Sequence, residues 1–304
     1  MSLDALLHRK ETPWLRQFLQ SPIPSLARTL YTQRQKLARD HQLDPTKYIG
    51  ITVVCISDTH NLRPEIPEGD VLIHAGDLTQ NGTAPELQSQ LDWLNAQPHP
   101  HKVVIAGNHD IVLDQQKSSE HGFSDHDRAS LQWGSITYLE RSAFSIRPKG
   151  GKRAVSIHGD PRTQRHGNWA FQYEKGSDVF SNQLGTDIDI LITHAAPHYH
   201  LDVAGWGDVN LLRELWRVKP KLHVFGHIHQ GRGSEILVYD QFELLYEQIR
   251  AERTGLLGLF YMAFLLLRIF FMQDRTSERT ILINASCVGG QRDQLCRNAH
   301  VVHI

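Results

Sequence analysis

Cysteine is scarce in this chain, which has Cys55, Cys287 and Cys296 in 304 residues. The number is odd and none of the three forms a Cys-x-x-Cys pair, so the sequence indicates neither a disulfide framework nor a thiolate zinc site. Such sparse cysteine usage is typical of proteins from a reducing compartment. We therefore expect a cytoplasmic protein.

The chain also lacks an excess of charge of either sign. Its 32 Lys and Arg residues nearly cancel its 33 Asp and Glu residues. No overall electrostatic field attracts nucleic acid or an anionic membrane, and we expect no specific nucleic-acid binding. Asp4, His8 and Lys10 interrupt the apolar residues near the start, so no secretory signal is predicted.

The chain has two segments of different character, and the second contains an insertion. Residues 1–47 carry apolar residues at roughly helical spacing until Pro22 and Pro24, which predicts an N-terminal accessory arm. Residues 48–304 are expected to form the main domain, with residues 240–278 as an apolar helical insertion within it. The hydrophobic content of 40% is enough for one large core.

Five apolar runs predict buried β-strands, at residues 51–57, 70–76, 102–107, 189–194 and 221–229. Between the second and third runs, Thr83 and Glu86 have the spacing of a capping box. Leu87, Leu91 and Leu94 then recur at helical spacing, which predicts a helix with one apolar stripe. A strand, a helix and a second strand in succession indicate the α/β fold class.

Each of these runs ends in polar residues with metal-binding or proton-transfer side chains. They are Asp58 and His60; Asp77; Asn108, His109 and Asp110; His194; and His227 and His229. In open α/β sheets the loops beyond the carboxyl ends of the strands converge on one crevice. Imidazole and carboxylate ligands without thiolates suit Mn²⁺, Fe, Zn²⁺ or Co²⁺ better than Mg²⁺ alone.

Taken singly, each cluster also has an ordinary explanation. An Asp-x-His sequence after a strand is more often a loop feature, and Gly-Asp commonly marks a turn. His227 and His229 fit an exposed loop about as well as a ligand pair. Their joint occurrence at the same place after five strands is hard to explain by coincidence, so we expect one shared metal site.

The motifs resemble, in order, the signature of the calcineurin-like metallophosphoesterases. They are Asp58-x-His60, Gly76-Asp77, Gly107-Asn108-His109-Asp110, His194 and Gly226-His227-x-His229. The resemblance extends over about residues 50–240 and 280–290, and HAGDLT, GNWAFQ and INAS are similar to the small, cyclic-nucleotide phosphodiesterase-like branch. Asp110 departs from the Glu that many members carry, and the turns at 158–161 and 195–197 also differ.

This resemblance implies a four-layer α/β/β/α sandwich whose active site lies in the loops at the carboxyl ends of the strands. It also implies two divalent metal ions. One would be held by Asp58, His60 and His229, the other by Asn108, His194 and His227, with Asp77 bridging them. His109 would be the general acid, and Asp110 would orient or polarise it.

The expected activity is hydrolysis of phosphodiesters, with cyclic nucleotides among the candidate substrates. Alternatives are a phosphomonoesterase or protein phosphatase, a lipid phosphodiesterase at a membrane surface, and a non-catalytic scaffold with this fold. Retention of His109 and of every implied ligand argues against the scaffold. Trp169 and Phe171 are candidates for stacking on a base, although aromatic residues beside a loop are more often packing residues.

Residues 255–272 stand out because they contain one charged residue, Arg268, and are apolar around the whole helical circumference. A helix of this length approaches the roughly 30 Å of a bilayer core. Strand-like segments of the same domain flank it, which argues against a single crossing. Two explanations stay open: peripheral contact with a membrane, with nearby arginines such as Arg275 at the headgroups, or burial against the arm or in a dimer interface.

Overall fold

A computed structural model describes residues 14–40, 50–149, 153–203, 205–272, 278–289, 294–295 and 297–304. Cys296, Arg275 and residues 1–13 of the predicted arm lie outside the described residues. The chain divides into two compact units. The larger one consists of Lys47–Ser234 and Ile281–Ile304, and the smaller one of Met1–Thr46 and Glu235–Thr280.

The described residues contain eight α-helices and fifteen strands. The helices are α1 (Trp14–Gln20), α2 (Pro22–Asp40), α3 (Ala84–Asn95), α4 (Gln115–Glu120), α5 (Asp125–Ala129), α6 (Val209–Val218), α7 (Gln241–Arg250) and α8 (Leu256–Met272). The strands are β1 (Thr52–Ile56), β2 (Val71–Ala75), β3 (His101–Ile105), β4 (Ile136–Tyr138), β5 (Ser142–Ile146), β6 (Val155–Asp160), β7 (Thr163–Gln164), β8 (Gln172–Tyr173), β9 (Ile190–Thr193), β10 (Leu222–Phe225), β11 (Gly233–Val238), β12 (Arg279–Asn284), β13 (Val288–Gly289), β14 (Gln294–Leu295) and β15 (His300–His303).

The first sheet of the larger unit has the strand order β15-β1-β2-β3-β4. Strands β1 to β4 are parallel, with Val53 beside Val71 in the register, and β15 runs antiparallel to β1. The three predicted strands at 51–57, 70–76 and 102–107 form β1, β2 and β3. Parallel strands are covered on both faces, which explains their continuous apolar runs.

Helix α3 forms where the sequence predicts it, between β2 and β3. The Thr83 hydroxyl accepts a hydrogen bond from the Glu86 backbone N–H, and the Glu86 carboxylate accepts one from the Thr83 N–H, which completes the capping box. Leu87, Leu91 and Leu94 are buried and share a hydrophobic cluster with side chains of β1, β2 and β3. The helix therefore covers one face of the first sheet.

Within the larger unit, the second sheet has the order β12-β10-β9-β6-β5. Strands β6, β9, β10 and β12 are parallel, and β5 runs antiparallel to β6. Helix α6 connects the neighbouring strands β9 and β10. Asp208 caps its start by accepting the N–H groups of Asn210 and Leu211, and Lys219 ends it in the left-handed conformation.

The two sheets face each other across the main hydrophobic core. α3 covers the outer face of the first sheet, and α6, the crossover between the parallel strands β9 and β10 of the second, buries Leu211, Leu212 and Leu215. The layers therefore run α/β/β/α, which confirms the predicted fold class. Core residues from the two sheets include Val53, Val71, Ile105, Ile157, Ile192 and Val224.

Helices α1, α2, α7 and α8, with most of β11, belong to the smaller unit. Tyr31 of α2 stacks on Tyr246 of α7 with ring centroids 4.0 Å apart, and Met262 and Leu265 of α8 lie in the same hydrophobic cluster. The accessory arm and the apolar insertion therefore share one core. No helix within the described ranges has the length and hydropathy that crossing a membrane requires.

Candidate metal centre

The predicted site residues follow five strands of the larger unit, β1, β2, β3, β9 and β10, at their carboxyl ends. Backbone hydrogen bonds tie these loops together. Within the first sheet the Asp58 N–H donates to the Gly76 carbonyl at 2.9 Å, and within the second the Gly226 N–H donates to the His194 carbonyl at 3.3 Å. The His227 N–H, from the second sheet, donates to Asp58 Oδ1 of the first at 3.0 Å. Loops from both sheets therefore converge on one place, as expected for strand ends that share an edge.

The first candidate ligand group consists of Asp58, His60 and His229, whose ligand atoms lie within 4.8 Å of one another. His229 Nε2 is 3.2 Å from Asp58 Oδ1 and 3.4 Å from His60 Nε2. Two imidazole nitrogens this close, beside a carboxylate, need a shared proton or a cation between them.

The second candidate ligand group consists of Asp77, His194 and His227, again with ligand atoms within 4.8 Å of one another. His194 Nε2 is 3.2 Å from Asp77 Oδ2 and 3.2 Å from Asn108 Oδ1. The same Asp77 oxygen is 3.8 Å from His60 Nε2 of the first group. Asp77 therefore lies between the two groups.

Four of the predicted ligands have a left-handed backbone. The φ angles are 51° at Asp58, 44° at His60, 55° at Asp77 and 66° at His227. This conformation is uncommon for residues other than glycine, and it persists where the surrounding structure holds it. Because four such residues lie at one set of strand ends, the position of their side chains there outweighs the conformational cost to the backbone.

Two glycines make the close packing of this centre feasible. A Cβ atom on Gly107 would lie 2.2 Å from Asp77 Oδ1, and one on Gly226 would lie 2.2 Å from Asp58 Oδ2. Both distances are far shorter than a van der Waals contact. Any larger residue at either position would push a carboxylate out of place.

Burial alone would raise the pKa of the Asp58 and Asp77 carboxyls. His229 beside Asp58 and His194 beside Asp77 outweigh burial and hold both pKa values well below the usual aspartate range. Burial lowers the pKa of His227 well below its ordinary value. At His194 burial acts in the same direction, but Asp77 outweighs it and raises the pKa of His194 to about 9.

These protonation states fit a divalent cation. The carboxylates are ionised and His227 is neutral, which is the form in which both bind metals. The His194 proton lies beside Asp77, where a cation would supply the same positive charge. The donors are imidazole, carboxylate and amide groups, a set that suits first-row divalent metals.

His109 lies beside both ligand groups and is held from three sides. Its Nδ1 lies 2.8 Å from the Gln80 carbonyl, and its backbone N–H donates to Asp77 Oδ1 at 2.8 Å. Its ring stacks on Trp169 with centroids 4.2 Å apart and meets the His60 ring edge-on at 4.7 Å. Because a carbonyl only accepts, Nδ1 carries a proton and Nε2 is the atom left for proton transfer.

Asp110 is fully buried and contacts the loop backbone. Its carboxylate accepts hydrogen bonds from the N–H groups of Gly107, Leu78 and Thr79 and from the Thr79 hydroxyl, at 2.8 to 3.2 Å. Burial and the neighbouring Asp77 raise its pKa to about 6. The resemblance implies that Asp110 orients His109, whereas the hydrogen-bond partner of that ring is Gln80.

Sequence reasoning missed three contributors to this centre. Ser286 donates to Asp58 Oδ2 at 2.8 Å, and the His166 ring lies 4.8 Å from the His227 ring. The third is the Gln80 carbonyl. Ser286 belongs to the INAS stretch, and the resemblance of that stretch to the small branch was the sequence signal from which Ser286 could have been predicted. A backbone carbonyl has no sequence signal of its own.

Comparison with known proteins places these residues in a family. Residues 51–231 match the sequence model of the calcineurin-like phosphoesterases, and this range contains all nine predicted site residues. The chain is 35% identical over 215 residues to metallophosphoesterase domain-containing protein 1 of Homo sapiens, covering 62% of this chain and 64% of that protein. It is 34% identical over 204 residues to a UPF0046 protein of Caenorhabditis elegans, covering 60% of this chain and 70% of that protein.

A further relative has a name of a different kind. The chain is 42% identical over 309 residues to the probable rhamnogalacturonate lyase C of Emericella nidulans, covering 99% of this chain and 29% of that protein. The chain thus spans less than a third of that relative and 64% of the human one. The names describe whole proteins, whereas the family match covers the strands and loops of the candidate centre. On that match, the chain belongs to the calcineurin-like phosphoesterase family.

Proposed function

We propose that this metal-dependent phosphoric ester hydrolase cleaves phosphodiesters at two divalent metal ions. Asp58, His60 and His229 would hold one ion, and Asn108, His194 and His227 the other, with Asp77 shared. The observation that carries this proposal is the position of Asp77, whose Oδ2 lies 3.2 Å from His194 Nε2 and 3.8 Å from His60 Nε2. A carboxylate between two ligand groups is the arrangement that a bridging ligand needs.

Two bound ions in such a site polarise the phosphoryl group and make hydroxide available near neutral pH. The protein supplies the proton for the departing alkoxide. The Gln80 carbonyl holds one proton on Nδ1 of His109, so the imidazolium form would carry its second proton on Nε2 and pass that proton to the leaving oxygen. Trp169 stacks on the same ring and restrains its rotation.

A general acid matters most for a poor leaving group, such as the ribose oxygen of a cyclic nucleotide. This favours an unactivated diester as substrate. Asp110 acts as a positioning residue, since its carboxylate accepts the backbone N–H groups of Leu78 and Gly107 and so joins the loops that follow β2 and β3. We further propose that the enzyme works in the cytoplasm, in keeping with the free, buried thiols of Cys55 and Cys287.

The test uses the full chain reconstituted with Mn²⁺. We expect metal analysis to give two ions per chain, and bis-p-nitrophenyl phosphate to be hydrolysed with a higher kcat/KM than p-nitrophenyl phosphate. Faster turnover of the monoester would instead identify a phosphomonoesterase. Asp77→Asn should weaken retention of both ions, because the shared carboxylate loses its charge.

His109→Ala separates chemistry from metal binding. We expect it to retain Mn²⁺ but to lose about 10²- to 10⁴-fold in turnover of cyclic AMP, and much less with a nitrophenyl leaving group. The matched control is His126→Ala, since His126 is exposed on α5. Equal losses for both kinds of leaving group would contradict the role of His109 as the acid.

A further inference from the structure

Helix α8 presents large apolar side chains to solvent along its whole length. The side chains of Leu257, Phe260, Phe264 and Phe271 are 85%, 70%, 58% and 77% exposed. We call the exposed set the apolar face of α8; its members are Leu256, Leu257, Phe260, Tyr261, Phe264, Leu267, Phe270 and Phe271. Exposed apolar surface of this extent marks an interaction site in a soluble protein.

The opposite side of α8 is anchored in the smaller unit. Met262 and Leu265 are buried with Tyr31, Phe242 and other residues of the same cluster. At 1.5 Å per residue the helix is about 26 Å long. It therefore has one side in a folded core and an apolar face directed outward, which is the amphipathic placement of a helix that lies along an interface.

A cationic cavity borders this face. It has a volume of about 200 Å³ and is lined by Arg34, Asp240, Gln241 and Arg268, with apolar residues including Leu265. Arg268 lies on α8 itself and directly follows Leu267 of the apolar face in the sequence. The cavity and the face belong to the same unit of the chain.

The charges of this cavity are incompletely matched. Arg34 is 6% exposed; one of its nitrogens pairs with Asp240 at 2.8 Å, and its Nε has no hydrogen-bond partner among the described residues. Arg268 forms no ion pair with any residue that the structure describes. Two guanidinium groups and one carboxylate leave a net positive charge, and a buried donor without a partner calls for an acceptor.

We propose that the apolar face of α8 and the cavity of Arg34 and Arg268 together bind the surface of a bilayer that contains anionic phospholipid. The phenylalanine and leucine side chains would enter the boundary between headgroups and acyl chains, and a lipid phosphate would accept hydrogen bonds from Arg34 and Arg268. The helix lies along the membrane plane, and this mode of binding needs no described helix to cross the bilayer.

Charge favours lipid over a second copy of this chain. α8 contains no Asp or Glu, so a symmetric pairing through this face would bring one Arg268 towards another without a carboxylate. An anionic headgroup supplies the missing negative charge. Arginine beside an apolar, aromatic-rich helix face is the composition of a peripheral membrane helix.

The test is flotation of the full chain with vesicles of phosphatidylcholine alone and of phosphatidylcholine mixed with phosphatidylserine. We expect the wild type to float with the mixed vesicles. Phe260→Asp with Phe264→Asp should reduce the bound fraction at least about tenfold, since burial of these rings drives insertion. Arg268→Gln should reduce binding to the mixed vesicles about fivefold and leave binding to phosphatidylcholine alone unchanged.

The matched control is Phe144→Asp, which replaces a 44% exposed phenylalanine on β5 of the larger unit and should float like the wild type. All substituted phenylalanines are exposed, so the variants should fold, which thermal melts check. Failure of the wild type to float would overturn the proposal. A concentration-dependent dimer that Phe264→Asp dissociates, without flotation, would assign the face to a second copy.

Discussion

Gly107→Ala tests whether the position of Asp77 determines metal binding. The new Cβ would lie 2.2 Å from Asp77 Oδ1, 2.4 Å from the Asp77 nitrogen and 2.8 Å from Asp77 Cγ. An ordinary contact is near 3.4 Å or longer, so the carboxylate has to retreat by about 1 Å. Gly107 does not have a left-handed backbone, so the effect is steric and not conformational.

A displacement of this size has two measurable consequences. Overpacking a buried site costs about 1 to 3 kcal/mol of the free energy of unfolding. A shift of about 1 Å in a positioning group costs about 10²-fold in turnover, and we expect Mn²⁺ affinity to fall by about 10- to 100-fold. The assays are urea denaturation, Mn²⁺ titration of metal-free protein, and hydrolysis of bis-p-nitrophenyl phosphate.

Gly185→Ala is the control, because a Cβ at Gly185 meets no atom within 4 Å and the residue also avoids the left-handed region. It should match the wild type in all three assays. Gly226→Ala repeats the test on the other group, since its Cβ would lie 2.2 Å from Asp58 Oδ2. Wild-type Mn²⁺ affinity and turnover in Gly107→Ala would refute the view that Asp77 is a rigidly placed ligand.

Three further predictions concern groups around the centre and in the sheet. Trp169→Ala removes the ring that stacks on His109 at 4.2 Å, and should lower turnover of cyclic AMP about tenfold while leaving Mn²⁺ affinity unchanged; a drop in affinity would show that Trp169 supports the ligands instead. Ser286→Ala removes the hydrogen bond of 2.8 Å to Asp58 and should weaken Mn²⁺ binding by about 10- to 100-fold in a titration, with unaltered binding as the contrary result. Burial lowers the pKa of His223 to about 3, below the roughly 6.5 of a histidine in the unfolded chain. The contribution of the neutral His223 to the free energy of unfolding is therefore complete above pH 6.5 and is lost as the pH falls towards 3. The loss amounts to at most about 1.4 kcal/mol per pH unit. Urea unfolding at several pH values should show a shallower acid dependence for His223→Gln, and an identical slope would place the titration elsewhere.

The strands and their terminal clusters could be predicted because one physical rule governs both. A strand covered on both faces must be apolar, and its polar residues are confined to the end where the loops meet. Asp58, Asp77 and His194 therefore stand out in the sequence as breaks after apolar runs. Helix α3 could be predicted equally well, because the Thr83 capping box and the leucine spacing are local signals.

The contacts that refine the centre depend on partners far away in the chain. Ser286 reaches Asp58 across 228 residues, and His109 is held by a carbonyl whose position depends on the fold of the loop. Apolar periodicity shows that the arm and the insertion each need a covered side. It does not show that Tyr31 and Tyr246 cover each other.

The smaller unit can fold only late in synthesis of the protein, because its two parts lie far apart in the sequence. Gln35 of α2 hydrogen-bonds the Ile236 carbonyl, 201 residues further along the chain. At about 5 to 20 residues per second, α2 leaves the ribosome about 10 to 40 s before its partners exist. Its apolar side chains stay uncovered for that interval, during which a chaperone has time to bind this helix.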